Sequence, residues 1–388
     1  LRNMECDYLE SEGLYYGFCR RLIANTMVGQ IRSVSCHLSA QSISYSLCWE
    51  NTSCCHKFVL AVTVLILAPI ILLCSSWHPL LSTSRKVVWE DNSMTILSGN
   101  LEYIQSTQIV WQIPSSPKAI LFIAHGCYGR ATFFWDKSEN CAECIGLPEE
   151  RTIVFHAITK GYAVIAISST RECWGLKADK KEVLNILSSW IMKEGLKSLP
   201  VVALGSSSGG FFISALAEEY KFSSLVIMVS EGKFKGMQVK PDYPPTLFVH
   251  MAKDKRRASL IKDAVSLLES KGVEAAEVKC YQIPVTPQLF IRIPGMDVKT
   301  SYRIYYALRG SSILDRNSIM TKDGRSIDWM KHLKVRNAMP AAELRKWERH
   351  LQELLNVAYG YHEMTSSQAN EIFEWFNRHL PLDETMLE

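Results

Sequence analysis

Residues 201–213, VVALGSSSGGFFI, constrain this chain more than any other stretch. A short apolar run of strand character leads into Gly-x-Ser-x-Gly, and a helical pattern with small residues on its near face follows. That order predicts a sharp strand-to-helix turn lifting one side chain, Ser207, above the end of a sheet. Gly205 and Gly209 flank it because a Cβ at either position would collide with the neighbouring strand or helix. Such a turn needs a sheet around it.

The rest of the chain supplies one. From about residue 93, apolar runs alternate with amphipathic ones, the rhythm of an α/β fold with a mostly parallel sheet. Strands are predicted at 108–113, 119–124, 163–168, 201–204, 224–229, 246–250 and 276–281, and helices at 151–160, 179–194, 210–220 and 257–270. Past Pro284 the rhythm breaks. Aromatic and basic residues, Gly and Pro accompany helical signals at 298–308 and 327–333, before a longer charged helix at 341–357 and a last one at 366–379. About sixty residues are too many for a bare connection, so 284–340 reads as a helical cap or insertion.

Composition narrows the function classes. With 388 residues, 47% of them hydrophobic and 21% charged, there is ample material for a large core. A net charge of +4 with no basic stripe and no nucleic-acid motif argues against a nucleic-acid partner.

Residues 58–77, FVLAVTVLILAPIILLCSSW, form a separate feature: twenty residues without a charge. At helical rise they span about 30 Å, the thickness of a bilayer core. A single-pass membrane anchor is the favoured reading, with a buried helix, or a removed leader if the chain starts at Met27, as the alternatives. Lys57 on one side faces Arg85 and Lys86 on the other, so orientation stays open. Residues 1–56 read as a poorly ordered tail, 78–92 as a linker and 93–388 as the globular domain. A glycosylation sequon at Asn51-Thr52-Ser53, with none in the globular part, fits a catalytic domain outside the secretory lumen.

Of twelve cysteines, only Cys127, Cys141, Cys144, Cys173 and Cys280 fall in the globular part. Cys141-Ala-Glu-Cys144 is open to reading as a metal half-site, a redox pair or a disulfide. No second pair at zinc spacing follows, which argues against a metal. A structural disulfide or plain buried thiols are the simpler readings, and an odd count leaves at least one thiol free.

An elbow serine needs a base, an orienting acid and an oxyanion hole, all from loops at the carboxyl ends of the strands. His362, in the turn Tyr359-Gly360-Tyr361-His362 between two helices, is the candidate base. Asp254, after the strand at 246–250, is the candidate acid, amid Lys253, Lys255, Arg256 and Arg257; Glu231 is held in reserve. His125-Gly126-Cys127 follows the strand at 119–124. There the Cys127 N–H, with that of Ser208 at the start of the elbow helix, can meet an oxyanion. Gly126 lets the loop fold close, and His125 reads as a loop-holding residue.

The order Ser207, Asp254, His362, with the GSSSGG elbow and the His125-Gly126 turn, resembles the α/β-hydrolase superfamily over about residues 95–388. The elbow is similar to those of esterase- and oligopeptidase-like members. The resemblance implies eight mostly parallel strands, flanking helices and helical insertions over the site. One departure is that the insertion here comes after the last strand, directly before His362.

Together these features predict a membrane-anchored serine hydrolase acting on an ester, thioester or amide, with no cofactor and no metal. The anchor and the apolar and aromatic residues of the insertion (Phe290, Ile291, Ile293, Met296, Tyr302, Tyr305 and Tyr306) suggest a lipid-like acyl substrate. Two rivals are a non-catalytic scaffold that binds a small ligand or a protein partner, and a redox role for Cys141 and Cys144.

Overall fold

A computed structural model of the chain describes residues 97–381. The tail at 1–56, the apolar segment at 58–77 and the linker at 78–92 lie outside the described residues. Among the described residues, no helix is long and apolar enough to cross a membrane.

The sheet is built on apolar runs. Its strands are β1 (Asn100–Ile104), β2 (Thr107–Gln112), β3 (Ala119–Ala124), β4 (Tyr162–Ile167), β5 (Val201–Ser206), β6 (Leu225–Met228), β7 (Thr246–Met251) and β8 (Ala275–Cys280). They stand in the order β1-β2-β4-β3-β5-β6-β7-β8. Strands β3 to β8 pair in parallel, while β2 runs antiparallel to β4 and β1 to β2. Strand β1 was not foreseen. It joins β2 through Gln105 and Ser106, at φ of 50° and 71°, a left-handed two-residue turn without the Asn-Gly or Asp-Gly that usually announces one.

The continuous hydrophobicity of β3 follows from burial on both faces. Leu121 and Ile123 join one core with α1 (Pro148–Thr159) and α10 (Ala369–Arg378), through Ile153, Val154, Phe373 and Phe376. Ile120 and Phe122 face the other core, against α2 (Leu176–Lys193), α3 (Ser208–Leu216) and α4 (Lys255–Ser270), through Leu187, Trp190, Phe212 and Ile261. Helix α1 starts at Pro148 rather than Arg151. Proline fits the first helical position, and Glu149 and Glu150 complete a favourable first turn.

The chain leaves β4 on one side of β3 and returns as β5 on the other. The carboxyl ends of β3 and β5 therefore form the point where strand order reverses, the usual location of a ligand crevice.

The insertion has a core of its own. Helices α5 (Pro287–Ile291), α6 (Val298–Arg309), α7 (Trp329–Val335), α8 (Ala341–Lys346) and α9 (Glu348–Tyr359) pack around Phe290, Ile304, Leu308, Leu344, Leu351 and Leu354. This core continues past residue 340 to the end of α9. The single helix expected at 341–357 is two, divided at Trp347, which closes α8 and opens α9.

The residues that suggested a lipid-like acyl group have a different explanation. Phe290, Ile293 and Met296 are buried in the insertion core, with Ile283 and Tyr305 packed against it. Tyr302 and Tyr306 are exposed. Neither these nor Ile291 line the cavity beside Ser207.

Two disulfides, Cys127–Cys173 and Cys141–Cys144, use four of the five globular cysteines, and Cys280 is a buried thiol. Among the described residues no cluster of His, Cys, Asp or Glu is arranged to hold a metal ion.

Candidate active site

The turn after β5 holds Ser207 at φ 51° and ψ −112°, a conformation that L-residues rarely adopt. The residues two positions to either side of it must be glycine. A Cβ on Gly205 would stand 2.4 Å from the Gly209 carbonyl oxygen, and one on Gly209 2.1 Å from that of Ala124. The Ser207 N–H donates to Met228 O at 2.8 Å, which ties the elbow to β6. Ser208 opens α3, where the first N–H groups have no partner within the helix.

The loop after β3 is pinned by His125, which is buried. Its Nε2 accepts from the Ser169 N–H at 3.0 Å, so Nδ1 carries the proton donated to Gly126 O. The Trp174 indole donates to His125 O at 2.8 Å, and the two rings lie 5.2 Å apart. Burial lowers the His125 pKa to about 4, which keeps the ring neutral. The glycine this loop requires is Gly129, where a Cβ would come within 2.8 Å of His125 Cβ; one on Gly126 would make only an ordinary 3.6 Å contact with Ser207 Cβ. Cys127 is tied by its disulfide to Cys173, and Tyr128 N–H donates to Glu172 O at 2.6 Å. Among the described residues no hydrogen bond takes the Cys127 N–H.

His362 reaches the serine from the opposite side: Ser207 Oγ lies 3.0 Å from His362 Nε2. Helix α9 ends in Gly360 at φ 69°, packed so closely that a Cβ would stand 2.8 Å from the Gln282 backbone nitrogen. Arg325, which sequence reasoning passed over, fixes the residues that follow. One nitrogen, Nη2, donates to His362 O at 2.7 Å and to Glu363 Oε2 at 2.6 Å. Asn356 of α9 donates to the same Glu363 oxygen at 2.8 Å. Beyond the turn, Glu149 of α1 accepts from Ser366 Oγ at 2.8 Å and ion-pairs with Arg292. Pro148 followed by two acids was the signal for α1's extra turn. Nothing local marks Arg325.

Asp254 is engaged elsewhere. It caps α4, accepting the Arg257 N–H at 3.0 Å, and its other oxygen lies 3.4 Å from Arg257 Nε. Glu231 also pairs with Arg257. Among the described residues no hydrogen bond joins either carboxylate to His362. Both act on it through charge. Burial lowers the His362 pKa from its ordinary value, the positive charges of Arg257 and Arg325 lower it further, and Asp254 and Glu231 oppose them. The ring is therefore neutral at pH 7, with Nε2 able to accept a proton.

Serine and histidine share a cavity of about 1080 Å³. Its wall is rich in charge, from Arg130, Glu172 and Arg325 to Glu348, Arg349 and Glu353.

No family model matches the chain, and no curated protein does. Solved structures do resemble it. An α/β-hydrolase enzyme from a Medee basin deep-sea metagenome aligns at 13% identity over 56% of this chain and 96% of its own, with a TM-score of 0.37. A thermostable carboxyl esterase from Bacillus coagulans aligns at 10% identity over 48% and 90% of the two chains, TM-score 0.35. Dienelactone hydrolase from Anabaena variabilis aligns at 16% identity over 47% and 86%, TM-score 0.32.

Proposed function

We propose that this chain, an α/β-hydrolase by strand order and elbow, is a serine hydrolase cleaving a small carboxylic ester, thioester or amide. The observation that carries the reading is the 3.0 Å approach of His362 Nε2 to Ser207 Oγ, within hydrogen-bond reach of a base and its nucleophile. His362 takes the Ser207 proton as Oγ attacks the carbonyl carbon. The Cys127 and Ser208 N–H groups meet the developing oxyanion. The same proton goes to the leaving group, and His362 then deprotonates the water that releases the acyl-enzyme. Asp254, with Glu231 beside it, stabilises the transient imidazolium by charge.

The charged cavity wall supports a substrate with polar groups over a lipid. The uncharged segment at 58–77 supports a membrane anchor. The two disulfides favour a catalytic domain on the oxidising side of that membrane, against the hint of the single sequon. Residues 1–56 and 78–92 are then a tail and a linker on either side of the anchor.

One observation favours a ligand-binding scaffold instead: the Asp254 carboxylate is already engaged by Arg257. A fluorophosphonate probe decides between them. The full chain labels at Ser207, Ser207→Ala does not, and His362→Ala labels at least ~10³-fold more slowly, the scale of triad knock-outs. A folded chain that takes no label is a scaffold.

A further inference from the structure

A hydrogen-bond acceptor buried without a donor is costly, and a ligand site is one place where that cost is offset. Three residues in the wall of the Ser207 cavity carry such an atom. Glu353 of α9 is 5% exposed, and its Oε1 meets no donor among the described residues. One turn earlier on the same helix face, His350 is 3% exposed. Its Nε2 donates to Ile145 O at 2.8 Å and burial keeps the ring neutral, so Nδ1 is an acceptor, and it too is unpartnered. The third atom is Oε2 of Glu150, in the first turn of α1. The other oxygen of Glu353 accepts the Glu149 N–H at 3.1 Å, which sets that carboxylate at the start of α1, one residue from Glu150.

Cations stand in the same wall, but each is engaged elsewhere or faces water. Arg325 donates to His362 O and to Glu363, and Arg130 to the carbonyls of Gly129 and Arg171. Arg349 lies over the Phe133 ring and Lys346 over that of Trp347. Arg345, like the other four, is exposed. Among the described residues none of them reaches Glu353 Oε1 or Glu150 Oε2. Water screens an exposed guanidinium far more than a buried carboxylate, so the buried part of the wall is acidic. Burial above all pushes the two carboxyls up, Glu150 to about 7 and Glu353 well above its ordinary range.

We propose that Glu150, His350 and Glu353 form a subsite for a primary ammonium group, and that the substrate is an amine-bearing ester, thioester or amide. An ammonium carries three N–H donors, the number of orphaned acceptors, and its charge is the one that the two carboxyls lack. That this ion belongs to the substrate rests on the hydrolase reading above; the subsite itself does not.

The test uses the full chain in detergent at about pH 8, where a primary amine keeps its proton. The probes are hexylammonium, hexyltrimethylammonium, hexanol and hexanoate. Each is measured by its protection of Ser207 from the fluorophosphonate and by the rise in Tm that its binding gives. Hexylammonium should bind at least about tenfold more tightly than the other three. Glu353→Gln replaces an anionic acceptor by a neutral amide and should weaken it ten- to roughly a hundredfold, the worth of a charge-assisted hydrogen bond. Glu150→Gln should weaken it in the same direction. Glu348→Gln, at an exposed position of the same wall, should leave it within about twofold.

Equal binding of hexyltrimethylammonium or hexanol overturns the proposal, because charge or apolar contact alone would then suffice. Tighter binding of hexanoate overturns it in favour of the exposed cations. An effect of Glu348→Gln equal to that of Glu353→Gln also overturns it, since the wall would then act as a diffuse field. A rise in Tm without protection of Ser207 overturns the substrate half. Should Glu353→Gln fail to fold, Glu150→Gln carries the comparison. If the parent itself takes no label, the hydrolase reading fails, and the Tm shifts alone decide whether the subsite binds an ammonium.

Discussion

Ser207 stands on backbone geometry supplied by the sheet, whereas His362 stands on a turn that side chains from the insertion and from α1 hold in place. On the serine side the contacts are close and rigid: glycines with no room for a Cβ, a strained φ, and an N–H bonded to β6. On the histidine side they are long charged side chains, Arg325, Glu363 and Glu149, meeting across segments far apart in sequence. Backbone packing in a sheet has few alternative arrangements. A network of charged side chains has many, and each link can be tuned or lost separately.

Substitutions that strike the two sides separately should therefore fail differently. The largest effect belongs to Gly209→Ala. Its Cβ would stand 2.1 Å from a backbone oxygen of β3, and overpacking that nothing flexible can relieve should cost about 3 kcal/mol. Urea unfolding measures it. Gly126→Ala, with 3.6 Å to its nearest neighbour, should stay within about 1 kcal/mol of the parent. Equal losses at the two glycines would mean that the elbow is not the rigid half.

An intermediate effect is expected at Arg325→Ala, which frees the His362 carbonyl and Glu363 together. Labelling of Ser207 should slow ten- to roughly a hundred-fold, as misplaced catalytic groups do, with Tm little changed. A collapse in Tm with an unchanged rate per folded molecule would show Arg325 serving the insertion's stability rather than the histidine.

The smallest effect is a displacement along the pH axis. The charge of Arg257 helps to hold the His362 pKa below its ordinary value, and Arg257→Gln removes it. The imidazole then gains protons more readily, so the acidic limb of the labelling profile should move to higher pH by up to about one unit. Movement to lower pH would mean that Asp254 and Glu231, released from Arg257, no longer face His362.

Much of the serine side was legible because its determinants are contiguous. A strand, a five-residue turn and a helix announce themselves within residues 201–213, and the apolar run at 119–124 can only be a strand covered on both faces. Strand β1 escaped notice because its turn uses Gln105 and Ser106 at positive φ, residues that carry no turn signal. The acid was harder to read. The charges around Asp254 look like a solvated run, yet Arg257 folds back onto both Asp254 and Glu231. The break at Trp347 likewise comes from packing, since nothing in residues 341–357 interrupts the helical period.

The sequence by itself determined strands β2 to β8, the elbow and the serine at its apex, because hydrophobic periodicity and the space a glycine leaves are local properties. It also determined that a histidine turn would follow an insertion. Only the tertiary structure decided what holds that turn: Arg325 on the His362 carbonyl, Glu149 on Ser366, and the Glu353 carboxylate on the Glu149 N–H. Those partners lie up to 217 positions apart in the chain. A charged side chain reads the same in sequence whether it faces water or a buried carboxylate, and folding alone makes the choice.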